Sequence, residues 1–220
     1  CMWLKGVVMR AHYNGLIPRT PFAQFHISPN VKEREYLTED EIKTIMSYEF
    51  ESPTLTLVRD LFVFACFTAL SFVDMKELTT DEIVEVNGEK WIIGKRHKTN
   101  VPFQVKLLDI PLQIIERYKH LSKGKLVFGE INYWTMCKQL KKVIKECGIE
   151  KQISYHCARH TFGTLALTKG MPIESVSRVL GHTNIVTTQI YAKITTQKLD
   201  NDLTMFGDKL NRVFNDVSMG

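Results

Sequence analysis

The sequence predicts a mainly α fold carrying one small antiparallel β-sheet. Three observations lead there. Thr38-Glu39-Asp40-Glu41 reads as a capping box, a helix-start signal. One stretch only alternates with period two, around Asn87-Gly88, the residue pair favoured in two-residue hairpin turns. The second half returns again and again to helical apolar periodicity.

In chain order, residues 3–12 read as the end of a helix stopped by Asn14-Gly15. Ile17-Pro18-Arg19-Thr20-Pro21 and Ser28-Pro29-Asn30 then read as an extended, proline-broken linker. A domain boundary is placed near residue 30, dividing 1–30 from 31–220. Thr38 caps a helix to about residue 48, and Pro53 opens a more buried one to about residue 73. Strands are expected at 83–86, 91–93 and 101–107. Helices follow at 112–121, 133–147, 154–168, 172–180, and from 183 or 184 to about 191, with a last amphipathic stretch at 196–214. There is no internal repeat and no low-complexity tract.

With 220 residues and 44% hydrophobic composition, the chain can bury one full core with room for a short extra segment. Twenty-nine Lys and Arg against 24 Asp and Glu give a net charge of +5 and a pI near 8.9. This mild basicity permits nucleic-acid binding without requiring it. Five cysteines, at 1, 66, 137, 147 and 157, lack paired spacing and read as reduced and intracellular. The longest apolar run, 61–70, is too short to span a membrane. Cys1-Met2-Trp3-Leu4-Lys5 is no signal peptide, and a start on Cys reads as a piece of a longer protein.

Chemistry concentrates in two C-terminal clusters. One is His156-Cys157-Ala158-Arg159-His160. The other is Leu180-Gly181-His182-Thr183-Asn184, followed by Gln189-Ile190-Tyr191. His156 and Arg159 sit at i and i+3 and share a helix face, which Gly163 continues. Gly181 ends its helix directly before His182. Cationic donors with a nearby phenol suit attack on a phosphodiester. Each residue also has a plainer reading: a solvated polar face for the His/Arg pair, a helix-dipole contact for His182, a half-buried aromatic for Tyr191. Zinc on His156, Cys157, His160 and Cys147 is weighed and set aside. Cys157 points off the face of the two histidines, and no Cys-x-x-Cys pair exists.

The order and spacing of these residues resembles the tyrosine recombinases, the integrase family of phages and mobile elements, in their catalytic domain. That family reads Arg, Lys, His-x-x-Arg, His or Trp, then Tyr, and the last four elements match as His156, Arg159, His182 and Tyr191. The resemblance spans roughly 36–191. It implies a helical catalytic domain with a small sheet at one edge, preceded within 1–30 by the end of a DNA-binding domain and followed by a C-terminal helical arm. It implies Tyr191 as the nucleophile that forms a 3′-phosphotyrosyl link. Arg159 and His182 would stabilise the phosphorane, and His156 would assist proton transfer or bind the phosphate. In Lys95-Arg96-His97-Lys98-Thr99, Lys98 best matches the family's general acid, with Lys95 next.

The chain departs from the family at the first Arg, where Ser71 stands, while Asp74 matches the supporting acidic position that follows. Loss of such a donor costs ~10²–10³ in rate. Arg59 is the only basic residue in 53–73 and reads equally as a substitute for the missing Arg or as a partner of Asp60. Some integrases of conjugative transposons are similar in lacking this Arg. The resemblance further implies double-stranded DNA attachment sites, a homotetramer on two duplexes with a monomer in isolation, accessory DNA-bending proteins, and a cytoplasmic, nucleoid-associated place in a bacterial cell. It implies neither cofactor nor metal. Two other classes stay open: a DNA-binding relative that has lost catalysis, and a type IB topoisomerase-like relaxing enzyme.

Overall fold

The computed structural model describes residues 2–22, 35–130, 132–191 and 196–214. It separates into two compact units, Cys1–Glu33 and Arg34–Gly220. In the first, helix α1 (Met2–Tyr13) ends where Gly15 takes φ +73° and the Leu16 amide reaches back to the Ala11 carbonyl at 2.9 Å. Most of the expected linker, including Ser28-Pro29-Asn30, lies outside the described residues.

In the second unit, α2 (Glu39–Ser47) begins at the capping box. The Thr38 hydroxyl accepts the Glu41 amide at 3.2 Å, and the Glu41 carboxylate accepts the Thr38 amide at 2.7 Å. Helix α3 (Pro53–Thr68) is apolar nearly all round, and it is the axis of the fold. It packs against α5 (Asp109–Arg117), α6 (Tyr133–Glu146) and α7 (Cys157–Thr168), burying Leu61, Phe62, Phe64 and Ala65 completely. Burial of each large side chain of this kind stabilises by about 1.5–3 kcal/mol.

The sheet runs β1 (Ile83–Val86), β2 (Glu89–Lys95), β3 (Pro102–Lys106), antiparallel throughout. Asn87 (φ 54°) and Gly88 (φ 77°) supply the two positive φ angles that its first turn needs. Ile92, Phe103 and Val105 face the core.

Three expectations are corrected. The helix begun at Pro53 does not reach 73. It stops at Thr68, Ala69 turns left-handed (φ 56°, ψ 20°), and Ser71 caps a new short helix, α4 (Phe72–Lys76). Ser71-x-x-Asp74 is itself a capping box, and its local hydrogen bonds override the apolar run. Helix α5 starts at Asp109 rather than 112, because Pro111 is tolerated in a first turn. The helix expected up to residue 191 is instead two 3₁₀ turns, Ile185–Thr187 and Gln189–Tyr191. Asn184 takes the Val186 amide on its side chain at 2.9 Å, which favours a turn there. Helices α8 (Ile173–Leu180) and α9 (Thr196–Phe214) stand where expected. No described helix is long and apolar enough to cross a membrane.

Arg59 and Asp60 form a buried ion pair inside this core. Arg59 Nη1 donates to the carbonyls of Met46 (2.9 Å), Tyr48 (3.0 Å) and Ile45 (3.3 Å), closing the end of α2. Asp60 also accepts from Arg117 at 2.8 Å and from the Tyr118 hydroxyl at 2.7 Å. Truncating one member strands a charge in the core. Arg59→Ala is therefore expected to lower unfolding free energy by about 3–5 kcal/mol, read as a reduced urea midpoint at unchanged slope.

Candidate active site

A second, smaller apolar cluster builds the floor of the site: Ala69, Leu167, Val176, Leu180 and Tyr191. It gathers the end of α3, one side of α7, α8 and the 3₁₀ turn that carries Tyr191. Tyr191 is 8% exposed. Its ring lies nearly parallel to that of His182, with an 8° interplanar angle and centroids 6.4 Å apart, and it meets His160 at 5.2 Å. His160 in turn meets His156 edge-on at 4.9 Å. His156 stands at the N-cap of α7, exposed, with the αR backbone that lets Arg159 follow on the next turn.

Gly163 explains how the tyrosine comes so close to α7. A Cβ at Gly163 would stand 2.9 Å from the Tyr191 ring carbons Cγ and Cδ2. Only a residue without a side chain lets the ring lie there.

Arg159 is held by backbone. Its Nη1 donates to the Ala69 carbonyl at 2.8 Å, and its Nη2 donates to the Leu180 carbonyl at 2.6 Å. Leu180 is the last residue of α8, where carbonyls have no partner within the helix and the dipole favours a cation. Burial lowers the Arg159 guanidinium to about 10, and the charge of Arg96 adds to this, so it stays protonated at neutral pH.

Gly181 then turns left-handed (φ 65°) and delivers His182. Nδ1 of His182 lies 2.9 Å from Oγ1 of the fully buried Thr188. Burial, then the charges of Arg159, Arg96 and His156, push the His182 imidazole down to about 4. It is neutral at pH 7.

The structure places the other expected residues less uniformly. Ser71 caps α4, and its hydroxyl donates to Asp74 at 2.8 Å. Asp74 also accepts the His97 amide at 2.9 Å and Arg96 Nη1 at 2.9 Å. Burial opposes its ionisation, but the His97 amide, Ser71 and Arg96 outweigh burial and hold the carboxyl below its ordinary value. Lys98 and Lys95 are both exposed, on either side of Arg96 at the β2–β3 turn. Among the described residues, neither forms a hydrogen bond or an ion pair with the cluster.

Arg59 is not in the site. It is spoken for by Asp60 and the end of α2, and ten residues of helix, about 15 Å at 1.5 Å each, separate it from Ala69. Of its two readings, the partner of Asp60 is the one the structure shows.

Arg96 was not distinguished from its basic neighbours in the sequence, yet it is the one that is buried, at 5% exposure. Its guanidinium lies 4.0 Å from the centroid of the Phe103 ring. Its Nη2 donates to the Val179 carbonyl at 2.6 Å, one residue before the carbonyl that Arg159 holds. A signal for it did exist. Inward positions along β2 alternate from Ile92 through Gly94, and the next in that register is Arg96.

Phage integrase family sequences match residues 35–198, most of the chain, and the chain belongs to that family. It is 26% identical over 196 residues to a tyrosine recombinase of Thermosipho africanus, covering 84% of this chain and 66% of that protein. It is 27% identical over 210 residues to tyrosine recombinase XerD of Listeria innocua, covering 88% and 70%. The chain thus spans about two thirds of the length of these relatives. Its fold is similar to the Tn1549 transposon integrase solved with circular intermediate DNA, with TM-score 0.74 at 18% identity over 92% of this chain and 76% of that one. It is also similar to the XerH recombinase solved with its difH substrate, with TM-score 0.66 at 21% identity over 83% and 56%.

Two outcomes follow from this geometry. Gly163→Ala should shift the Tyr191 ring and lower stability by about 1–2 kcal/mol, because crowding the buried ring costs about 1–3 kcal/mol and outweighs the roughly 1 kcal/mol by which Ala favours a helix over Gly. The tyrosine resonances by NMR and any Tyr191-dependent activity, down at least about tenfold, are the readouts. The His182 imidazole should show no titration near its ordinary value and protonate only near pH 4. Because the unfolded chain binds that proton more readily, the stability tied to neutral His182 is whole above about pH 6.5 and falls away toward pH 4.

Proposed function

We propose that this chain is the catalytic part of a site-specific DNA recombinase that integrates and excises a mobile element. The observation that carries the reading is the Tyr191 ring set parallel to His182 and tilted against His160, beside a guanidinium pinned by two backbone carbonyls. A phenol, neutral donors and a fixed cation are what in-line attack on a phosphodiester asks of a protein.

In the proposed reaction, Tyr191 Oη attacks the scissile phosphorus. A P–O(Tyr) bond forms as the P–O5′ bond breaks, leaving a 3′-phosphotyrosyl link and a 5′ hydroxyl. Lys98 gives the 5′ oxygen its proton. Arg159 neutralises charge on the nonbridging oxygens. With Nδ1 taken by the Thr188 hydroxyl, His182 presents Nε2–H to one of those oxygens. His156, exposed at the N-cap, binds the phosphate or relays the tyrosine proton through the His160 ring beside it. A 5′ hydroxyl from a partner strand then attacks the phosphotyrosine and frees Tyr191. The energy of the broken bond is retained in the link, so no nucleotide cofactor is spent. Asp74 serves as a support for the cations.

The remaining parts of the reading concern assembly. Residues 1–30 would end a preceding DNA-binding domain, and 31–220 would be the catalytic domain with its arm. Leu199, Leu203, Phe206 and Leu210 recur at helical spacing on α9 and are all exposed. Such a face suits docking on a neighbouring copy in a tetramer across two DNA duplexes. Accessory DNA-bending proteins would assist, and the reaction would take place on the nucleoid in the cytoplasm.

The test uses nicked DNA from the two boundaries of the genomic segment that encodes the chain. A denaturing gel should show a covalent protein–DNA adduct that Tyr191→Phe abolishes while DNA binding persists. A native gel of the same reaction should show paired duplexes that Phe206→Asp disperses. Binding without adduct would point to a relative that has lost catalysis. Relaxation of supercoiled plasmid lacking either boundary would point to a topoisomerase-like enzyme.

A further inference from the structure

The charge around the end of α8 does not balance. Arg96 is buried and Arg159 half-buried, and they hold the consecutive carbonyls of Val179 and Leu180. They are close enough for each charge to act on the other, and both act on His182. Among the described residues one carboxylate, Asp74, faces them, and it is already engaged by the Ser71 hydroxyl and the His97 amide. Buried cations in excess of their counter-charges are unfavourable unless an anion completes the set.

Arg96 also has capacity to spare. Its Nε is buried and has no hydrogen-bond partner among the described residues. That nitrogen faces Gly181, where an added Cβ would lie 2.9 Å from Nε and 3.0 Å from Cγ. Gly181 immediately precedes His182 and follows the carbonyl that Arg159 holds. The unpartnered donor therefore lies at the junction of the two groups already assigned to the phosphate.

We propose that Arg96, reaching in from the β2–β3 turn, supplies the second guanidinium of the phosphate site and takes the place of the arginine that Ser71 does not provide. The inference rests on the recombinase reading for the identity of the phosphate as a scissile one. Ser71 and Asp74 form the seat of this cation: Ser71 caps α4, and the cap orients the carboxylate that receives Arg96. Phe103 supports the planar face of the guanidinium. An arginine at position 71 would compete for a carboxylate that Arg96 already occupies.

Two measurements test this. The first needs no DNA site. Inorganic phosphate is titrated into the chain and followed on the His182 imidazole resonances. Saturable binding is expected, weakened at least about tenfold in Arg96→Met, whose stem still covers Phe103. Phosphate affinity within twofold in folded Arg96→Met overturns the proposal.

The second reads adduct formation on the nicked boundary DNA. Arg96→Met should lower the rate by about 10²–10³. Replacing the scissile phosphate with a neutral methylphosphonate should recover most of that loss, because one nonbridging charge no longer needs a partner. A merely structural role for Arg96 gives no such recovery. Ser71→Arg should restore Arg96→Met and bring no gain to the otherwise unaltered chain. A hundredfold gain from Ser71→Arg alone would show an unfilled cation position and sink the inference, including where Arg96→Met does not hold its fold. Absence of an adduct in the unaltered chain would count against the recombinase reading, while the phosphate titration would still decide the role of Arg96.

Discussion

Two guanidiniums, one buried and one half-buried, share the carbonyl end of one short helix, and the site depends on that arrangement. Helix α8 ends with unpaired carbonyls at Val179 and Leu180, as every helix must end with some. Here they are met by Arg96 and Arg159 instead of water. Each arginine arrives from a different part of the chain, one from the sheet turn and one from α7. Arg159 also holds the carbonyl of Ala69, the left-handed residue that ends α3. Three helices and the sheet are thus tied at one point by backbone acceptors. The precision of His182, two residues beyond α8, and of Tyr191, eleven beyond it, follows from that knot.

Burial sets the protonation pattern that makes the site useful. A cation surrounded by cations tends to lose its proton, and the two group types respond differently. Arginine keeps its charge even when displaced to about 10, because its starting value is so high. Histidine does not, and His182 becomes a neutral donor at pH 7. The contact with Thr188 then matters, since it settles which ring nitrogen is left for a ligand. An arriving phosphate would reverse part of the penalty. Anion binding and protonation at His182 are therefore coupled.

The two buried ion pairs among the described residues illustrate how alike charges in sequence can serve different ends. Arg59 beside Asp60 closes the end of α2 and carries the core. Arg96 with Asp74 joins the end of β2 to α4 and α8. Both arginines are nearly inaccessible. The difference lies in their acceptors: those of Arg59 belong to a helix end remote from the chemistry, and those of Arg96 are the Asp74 carboxylate and the Val179 carbonyl, three residues before His182. The departure at Ser71 also has a structural side. The serine is an N-cap, and its capping box orients Asp74, so the small residue contributes to the seat of a cation that comes from elsewhere.

Much of this was legible in the chain. Local hydrogen-bonding signals set the hairpin at Asn87-Gly88 and the cap at Thr38, and helical periodicity marked most helices, because these depend on residues a few positions apart. The i, i+3 spacing of His156 and Arg159 at the start of α7, and the glycine helix end before His182, were legible for the same reason: each lies within one local motif. Competition between local signals was harder to read, so the break at Ala69 and the 3₁₀ turns before Tyr191 were missed although Ser71-x-x-Asp74 and Asn184 announced them. Adjacent Asp60 offered one reading of Arg59, but neither the choice of that reading nor the role of Arg96 could be fixed from neighbours alone. Each is decided by acceptors far away along the chain, at α2 for one and at α4 and α8 for the other. A buried charge takes its role from whichever partners the packing brings within about 3 Å, and only the tertiary structure chooses them.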